Sequence, residues 1–271
     1  MTETITRQTP QFAYIDGQLR PGHPELFLRF AEASERAVRE RHPLLDHAYG
    51  PHPRQKLDLF RTSQRRKGTI VYFHAGYWQA RDKSGFRFLA PPLAADGFDV
   101  AVVNYPLSPE LGVIDIVAAA KASLPELAAL SDPAPIILAG HSAGAQIALE
   151  LGMAERAADV SIAGIMAISG VFDLVPLLDT TVNDKLSLDP ASAHAASPLY
   201  RVAAGAPPAV FAVGALETLA FREQTAMMAK AWAEAGNVAA EHVIPDADHF
   251  SILNEICRAG GVLRTAIGKL L

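Results

Sequence analysis

Residues 140–144 read Gly140-His141-Ser142-Ala143-Gly144, a serine with a glycine two positions away on each side. An apolar run over residues 135–139 precedes it and a small-residue helix follows through Gln146, Ile147, Ala148, Leu149 and Leu151. This Gly-x-Ser-x-Gly pattern is a nucleophile elbow, a turn so tight that the strand and the departing helix nearly touch. A Cβ at either glycine would fall in that gap. The turn is expected to lift Ser142 clear of the backbone, with its hydroxyl exposed at the carboxyl end of the strand. The helix amino terminus beneath it favours developing negative charge.

A serine hydroxyl is a weak nucleophile until a base takes its proton, and an acid must orient that base. With an elbow serine the chain order is serine, acid, histidine. Glu217 stands just past a late strand, in Gly214-Ala215-Leu216-Glu217, and is the expected acid. Its alternative is a helix-start carboxylate stabilised by the dipole, with Thr218 nearby. Of nine histidines, only His249 follows the last strand after both other members. His242 falls inside that strand and His141 inside the elbow. His23, His42, His47, His52 and His194 read as loop or helix-end residues. Asp246 and Asp248 compete for the acid, but turn aspartates usually cap the next helix. Asp173 and Asp184 lie in an irregular stretch and are weaker candidates.

Acyl transfer also needs donors aimed at an oxyanion. One is the main-chain N–H of Ala143, the residue after the nucleophile. The others are expected from Gly76 and Tyr77 in the loop His74-Ala75-Gly76-Tyr77-Trp78, where a glycine lets N–H groups converge. The same loop could equally be a plain strand-end turn. His74 is expected to hold the loop in shape through its ring nitrogens.

The elements that must position these groups alternate along the chain. Helical periodicity covers residues 24–41, stopped by His42-Pro43. Strands are expected at 56–60, 69–73, 98–105, 135–141, 161–169, 209–213 and 238–244. Helices are expected at 83–96, interrupted by Pro91-Pro92, and at 114–130, 221–235 and 250–271. Alternation of this kind means an α/β fold, a mostly parallel sheet covered by helices on both faces. Reactive groups collect at the carboxyl ends of such strands. Residues 170–198 break the rhythm and read as a short insertion over the active site, within a single domain spanning 1–271.

Composition narrows the rest. The chain has 271 residues, 50% of them hydrophobic and 20% charged, enough for a sizeable core. A net charge of −5 and no basic cluster beyond Arg65-Arg66-Lys67 argue against nucleic acid or anionic membrane as a partner. Residues 1–7 carry no apolar signal core and no run reaches eighteen apolar residues, so a cytoplasmic protein is expected. The single cysteine, Cys257, reads as inert packing. No His-Glu-x-x-His or cysteine ligand set is present, so neither a metal nor a cofactor is expected. A small-molecule ester or amide is the expected partner, and a homodimer remains open.

These residues resemble the kynurenine formamidase (arylformamidase)-like esterases of the α/β-hydrolase superfamily. That group's oxyanion loop reads His-Gly-Gly-Tyr-Trp, matched here at four of five positions by His74-Ala75-Gly76-Tyr77-Trp78. The elbow fits, as do 168–178, Val182-Asn183-Asp184, Ser197-Pro198, 217–224 and His249-Phe250, so the likeness runs from about Tyr49 to Phe250. It implies an α/β-hydrolase fold and a Ser142, Glu217, His249 triad. Ala75 departs from the loop's usual glycine, and Glu217 stands where better-known formamidases carry aspartate.

The implied reaction is cleavage of an aryl formamide such as N-formylkynurenine through an acyl-enzyme. The alternatives are a carboxylesterase for short acyl esters and a non-catalytic homologue used for binding. A formyl group needs almost no acyl pocket, whereas an aryl leaving group needs an apolar wall. Tyr77, Trp78, Phe172, Leu174 and Phe250 could form that wall or be ordinary core.

Overall fold

The computed structural model describes residues 9–130, 132–154 and 161–271. The amino-terminal segment read above for a signal sequence lies outside them, apart from its continuation at Thr9.

In chain order the elements are α1 (Pro10–Tyr14), α2 (His23–Arg41), β1 (Leu44–Ala48), β2 (Lys56–Phe60), β3 (Gly68–Phe73), α3 (Ala90–Ala95), β4 (Phe98–Val103), α4 (Val113–Lys121) and α5 (Ser123–Leu130). Then come β5 (Ile136–His141), α6 (Ala143–Met153), β6 (Ile162–Ile168), α7 (Asn183–Leu186), α8 (Pro190–Ala195), β7 (Ala209–Gly214), α9 (Leu219–Glu234), β8 (Ala239–Ile244), α10 (Asn254–Cys257) and α11 (Val262–Gly268). One eight-stranded sheet runs β1-β2-β4-β3-β5-β6-β7-β8. The β1-β2 and β2-β4 pairs are antiparallel and every other pair is parallel. The α/β fold expected from alternation is the fold observed.

Strands β3, β4, β5 and β7 are buried along their whole length. Helices cover both faces, which is why these strands read as mostly apolar runs, with Asp99 in β4 as an exception. Ile137 and Leu138 illustrate it: neighbours in sequence, they enter cores on opposite sides of the sheet. Each such burial contributes about 1.5–3 kcal/mol.

Several boundaries differ from expectation for local reasons. Pro91 and Pro92 start a helix rather than interrupt one, because α3 takes proline in its first turn, where the missing N–H has no partner to lose. Residues 83–89 before it wind as a 3-10 helix. The helix expected over 114–130 is two helices, since Pro125 has no N–H to continue the ladder from α4. The closing helix over 250–271 is broken at Gly260, with φ +71°, and at Gly261, where a Cβ would lie 2.0 Å from the Glu255 carbonyl oxygen. Strand β1 and helix α1 were not expected.

Among the described residues no helix is long and apolar enough to cross a membrane. Cys257 is half-buried, and burial raises its thiol pKa to about 11, which keeps it protonated.

Candidate active site

Strand β5 ends at the elbow. Ser142 adopts φ 56°, ψ −121°, and its main-chain N–H is held by the Ile168 carbonyl at 2.8 Å. A Cβ on Gly140 would meet the Gly144 carbonyl oxygen at 2.0 Å, and one on Gly144 would meet the Phe73 carbonyl oxygen at 2.1 Å. Both glycines are there because backbone passes backbone at this turn. The expectation of an exposed hydroxyl needs correction, because Ser142 is only 1% exposed.

Glu217 lies in the turn after β7 and His249 in the turn after β8. The two carboxylate oxygens of Glu217 have separate partners. Oε2 accepts from His249 Nδ1 at 2.7 Å. Oε1 accepts from Ser169 Oγ at 2.5 Å and from the Gly214 N–H at 2.8 Å. With Nδ1 donating to the carboxylate, the neutral ring of His249 keeps its lone pair on Nε2. Ser169 was not singled out by its chemistry; only its place at the end of β6, beside the turn after β7, gives it a role here.

The elbow and the histidine are coupled through His141. Its Nε2 donates to the His249 main-chain oxygen at 2.6 Å, and the two rings lie 4.7 Å apart. Burial first, then the neighbouring His249 and the Arg81 charge, push the His141 pKa well below its ordinary value. Its Nδ1 is buried without a partner. Among the described residues no hydrogen bond runs from the Ser142 hydroxyl to the His249 ring.

The loop after β3 carries three consecutive left-handed residues, Gly76 at φ 136°, Tyr77 at φ 50° and Trp78 at φ 56°. Ala75 is not among them and is buried, so the glycine-to-alanine departure sits where an L-residue fits. Only Gly76 needs to be glycine, since a Cβ there would lie 2.1 Å from the Ala80 carbonyl oxygen. Such a run of left-handed residues turns main-chain N–H groups toward one side. No protein acceptor among the described residues takes the N–H of Gly76 or Tyr77. Ala143 is the first residue of α6, where an N–H has no partner within the helix.

His74 braces this loop. Its Nδ1 lies 2.7 Å from the Ala75 carbonyl oxygen and its Nε2 3.1 Å from Asn104 Oδ1. The ring stacks 4.4 Å from Tyr105, whose hydroxyl donates to the His74 carbonyl. Burial lowers its pKa to about 4. Asp248, a rejected acid, caps the following turn by accepting the N–H groups of Phe250 at 3.0 Å and Ser251 at 2.8 Å.

Of the residues considered for an aromatic wall, Trp78 and Phe172 are fully buried. Trp78 donates from its indole to Gln146 Oε1 at 3.1 Å, and Phe172 packs edge-on against Phe211. Both are core. Phe250 and Tyr77 keep some exposure. The Tyr77 hydroxyl donates to the Tyr14 carbonyl, in α1. The same helix receives the Thr218 hydroxyl at the Ala13 carbonyl, 2.6 Å away, and its Gln11 accepts the Thr181 N–H at 2.9 Å. Helix α1 thus joins the loop after β3, the turn carrying Glu217 and the 170–198 stretch. No group of three or more His, Cys, Asp or Glu among the described residues could hold a metal ion.

The sheet order, the elbow at its centre and a paired carboxylate and imidazole on later turns define an α/β-hydrolase. The chain belongs to the α/β-hydrolase fold family, whose pattern matches residues 70–253, and it is a hydrolase.

Within that family it is similar to a kynurenine formamidase from Danio rerio, 30% identical over 88% of this chain and 85% of the relative. A kynurenine formamidase from Salmo salar is also 30% identical, over 83% and 81% of the two chains. Among solved structures, a candidate thioesterase from Silicibacter sp. TM1040 superposes with a TM-score of 0.87, at 29% identity over 95% of this chain and 98% of that one. An esterase from Pyrobaculum calidifontis, 18% identical over 93% of each chain with a TM-score of 0.69, shares the fold.

Proposed function

We propose that this chain hydrolyses an aryl formamide such as N-formylkynurenine, with Ser142 as nucleophile, His249 as base and Glu217 as the acid that orients it. The observation that carries the reading is the 2.7 Å bond between Glu217 Oε2 and His249 Nδ1, which leaves Nε2 as the free basic nitrogen in a chain that also carries an elbow serine. The near-complete enclosure of Ser142 suits a small acyl group, and two relatives that cover most of this chain are named kynurenine formamidases.

In this mechanism His249 Nε2 takes the Ser142 proton as Oγ bonds to the formyl carbon. The N–H groups of Ala143, Gly76 and Tyr77 receive the oxyanion, each donor contributing about 100- to 1,000-fold in rate. The C–N bond then breaks, and His249 returns the proton to the departing arylamine. Water, deprotonated by the same nitrogen, attacks the formyl-serine and releases formate. The resting hydroxyl is not yet bonded to the ring, a common state for catalytic hydrogen bonds in an empty site that tighten when substrate binds. In the single domain proposed for 1–271, the 170–198 stretch and α1 together wall the site.

The second reading is a carboxylesterase for short acyl esters with the same three residues. It is favoured by the 0.87 TM-score to a candidate thioesterase. Parallel kinetics on N-formylkynurenine and p-nitrophenyl acetate separate the two. The formamidase reading predicts the higher kcat/KM on the formamide; a large preference for the acetate overturns it.

A further inference from the structure

The rim of this site carries a cation that the described residues leave without an anion. Arg81 follows the loop after β3 in a left-handed conformation, φ 71°, with its carbonyl held by Arg54 Nη2 at 2.9 Å. Its Cβ lies 3.4 Å from the point where a Cβ on Gly76 would stand, so it abuts the expected oxyanion donors. Its guanidinium sits 4.3 Å from the Phe27 ring centre and 4.8 Å from that of Phe250. The Phe250 ring in turn lies 5.0 Å from that of His249. Arg81 therefore touches both halves of the site, the donor loop and the histidine turn.

No carboxylate among the described residues pairs with it. Among the described residues the Arg81 side chain makes no ion pair and no hydrogen bond. The adjacent Asp82 is committed elsewhere, to the Ser84 N–H at 2.9 Å and the Asn104 amide at 2.6 Å. The two rings stand at 85° to each other, 4.8 Å apart, and the guanidinium lies near both, held by cation–π attraction. A guanidinium is itself a planar fork of N–H donors suited to a carboxylate taken two-handed. A recess of about 230 Å³ adjoins it, with Phe27, Phe30, Phe86 and Phe250 among its walls. That is room for a short aliphatic arm rather than a whole aromatic substrate.

We infer that Arg81 is a specificity-determining residue that binds a carboxylate on the leaving-group side of the substrate. This rests on the formamidase reading and deepens it, since N-formylkynurenine carries an α-carboxylate on the arm attached to its aryl ring. The substrate class becomes anionic aryl formamides, with neutral aryl formamides and simple esters as poor substrates.

The test compares N-formylkynurenine with its methyl ester, which masks the carboxylate, using wild-type protein, Arg81→Gln and Arg81→Lys, with p-nitrophenyl acetate as a control for folding. Charge-assisted hydrogen bonds of this kind correspond to about 10- to 100-fold in binding. Arg81→Gln should lower kcat/KM on N-formylkynurenine at least tenfold more than on the methyl ester, mainly through KM, and Arg81→Lys should recover part of the loss. Equal losses on acid and ester, or none on the acid, overturn the role of Arg81 while leaving the formamidase reading in place. Wild-type protein that cleaves the acetate but not N-formylkynurenine overturns both.

Discussion

The ring of His141 donates to the main-chain oxygen of His249 across 2.6 Å. The residue before the elbow serine thereby holds in place the backbone that carries the expected base, 108 positions later in the chain. Replacing His141 with leucine removes that bond and a buried nitrogen that has no partner. A net hydrogen bond contributes about 1 kcal/mol and an unpaired buried polar atom costs a similar amount, so the melting temperature should move little. Turnover should still fall about tenfold through kcat, because the His249 ring loses its anchor. Steady-state kinetics beside thermal melting check this, and a large loss of stability with unchanged kcat contradicts it.

Ser142 holds a left-handed conformation that L-residues avoid. Ser142→Ala should abolish turnover while leaving stability within about 0.5 kcal/mol, since one hydroxyl leaves the site. Ser142→Gly should be equally inactive yet more stable by about 1 kcal/mol, because glycine adopts this φ without strain. Denaturant titration of the three proteins measures the difference.

Glu217→Gln puts an amide where a carboxylate now accepts from His249 Nδ1. Either two donors face each other or the ring takes the wrong tautomer, and kcat should drop by about 1,000- to 10,000-fold. Asp246→Asn serves as the control and should leave kcat within about twofold. The reverse pattern would move the acid to position 246.

Gly144→Ala would press a methyl group within 2.1 Å of the Phe73 carbonyl oxygen, a backbone atom that cannot swing aside. The expected result is a loss of about 3 kcal/mol or more, or failure to fold. A stable, active Gly144→Ala protein would mean that the elbow is looser than it stands here.

Two buried histidines make the fold sensitive to acid. His74 has its pKa lowered to about 4 by burial, and His141 is lowered too. The unfolded chain binds the His74 proton from pH 6.5 downward while the native state refuses it until about pH 4, and burial shifts His141 in the same direction. Within that window the unfolded state holds more protons, so stability falls as pH falls, at up to about 1.4 kcal/mol per pH unit for each group. Melting temperatures between pH 4 and 7 should show the decline, with a shallower slope in His74→Asn. A flat wild-type profile would contradict the assignment.

Ser142, Glu217 and His249 stood out as candidates because each follows an expected strand in a fixed chain order, although β8 before His249 is mostly exposed or half-buried and carries Glu241 and His242. The loop after β3 stood out by the same position at a strand end, with Gly76 marking its turn. Strand β1 was not: Leu44-Leu45-Asp46-His47-Ala48 lies mostly exposed at the sheet edge, so burial imposes no alternation on it. Helix α1 has five residues, too short for periodicity to register. Trp78 and Phe172 were indistinguishable from wall residues, because an aromatic near a site and an aromatic under it look alike in sequence.

The linear order of residues determined what is governed by near neighbours: the elbow, with its two glycines meeting backbone, and the run of buried strands that makes a parallel sheet. Only the folded arrangement decided which distant groups meet. It brought Ser169 to Glu217, set Arg81 against the Phe27 and Phe250 rings, and buried Ser142. Those contacts depend on how helices and loops pack across the sheet. That packing is set by the shape of whole layers and leaves no local pattern along the chain.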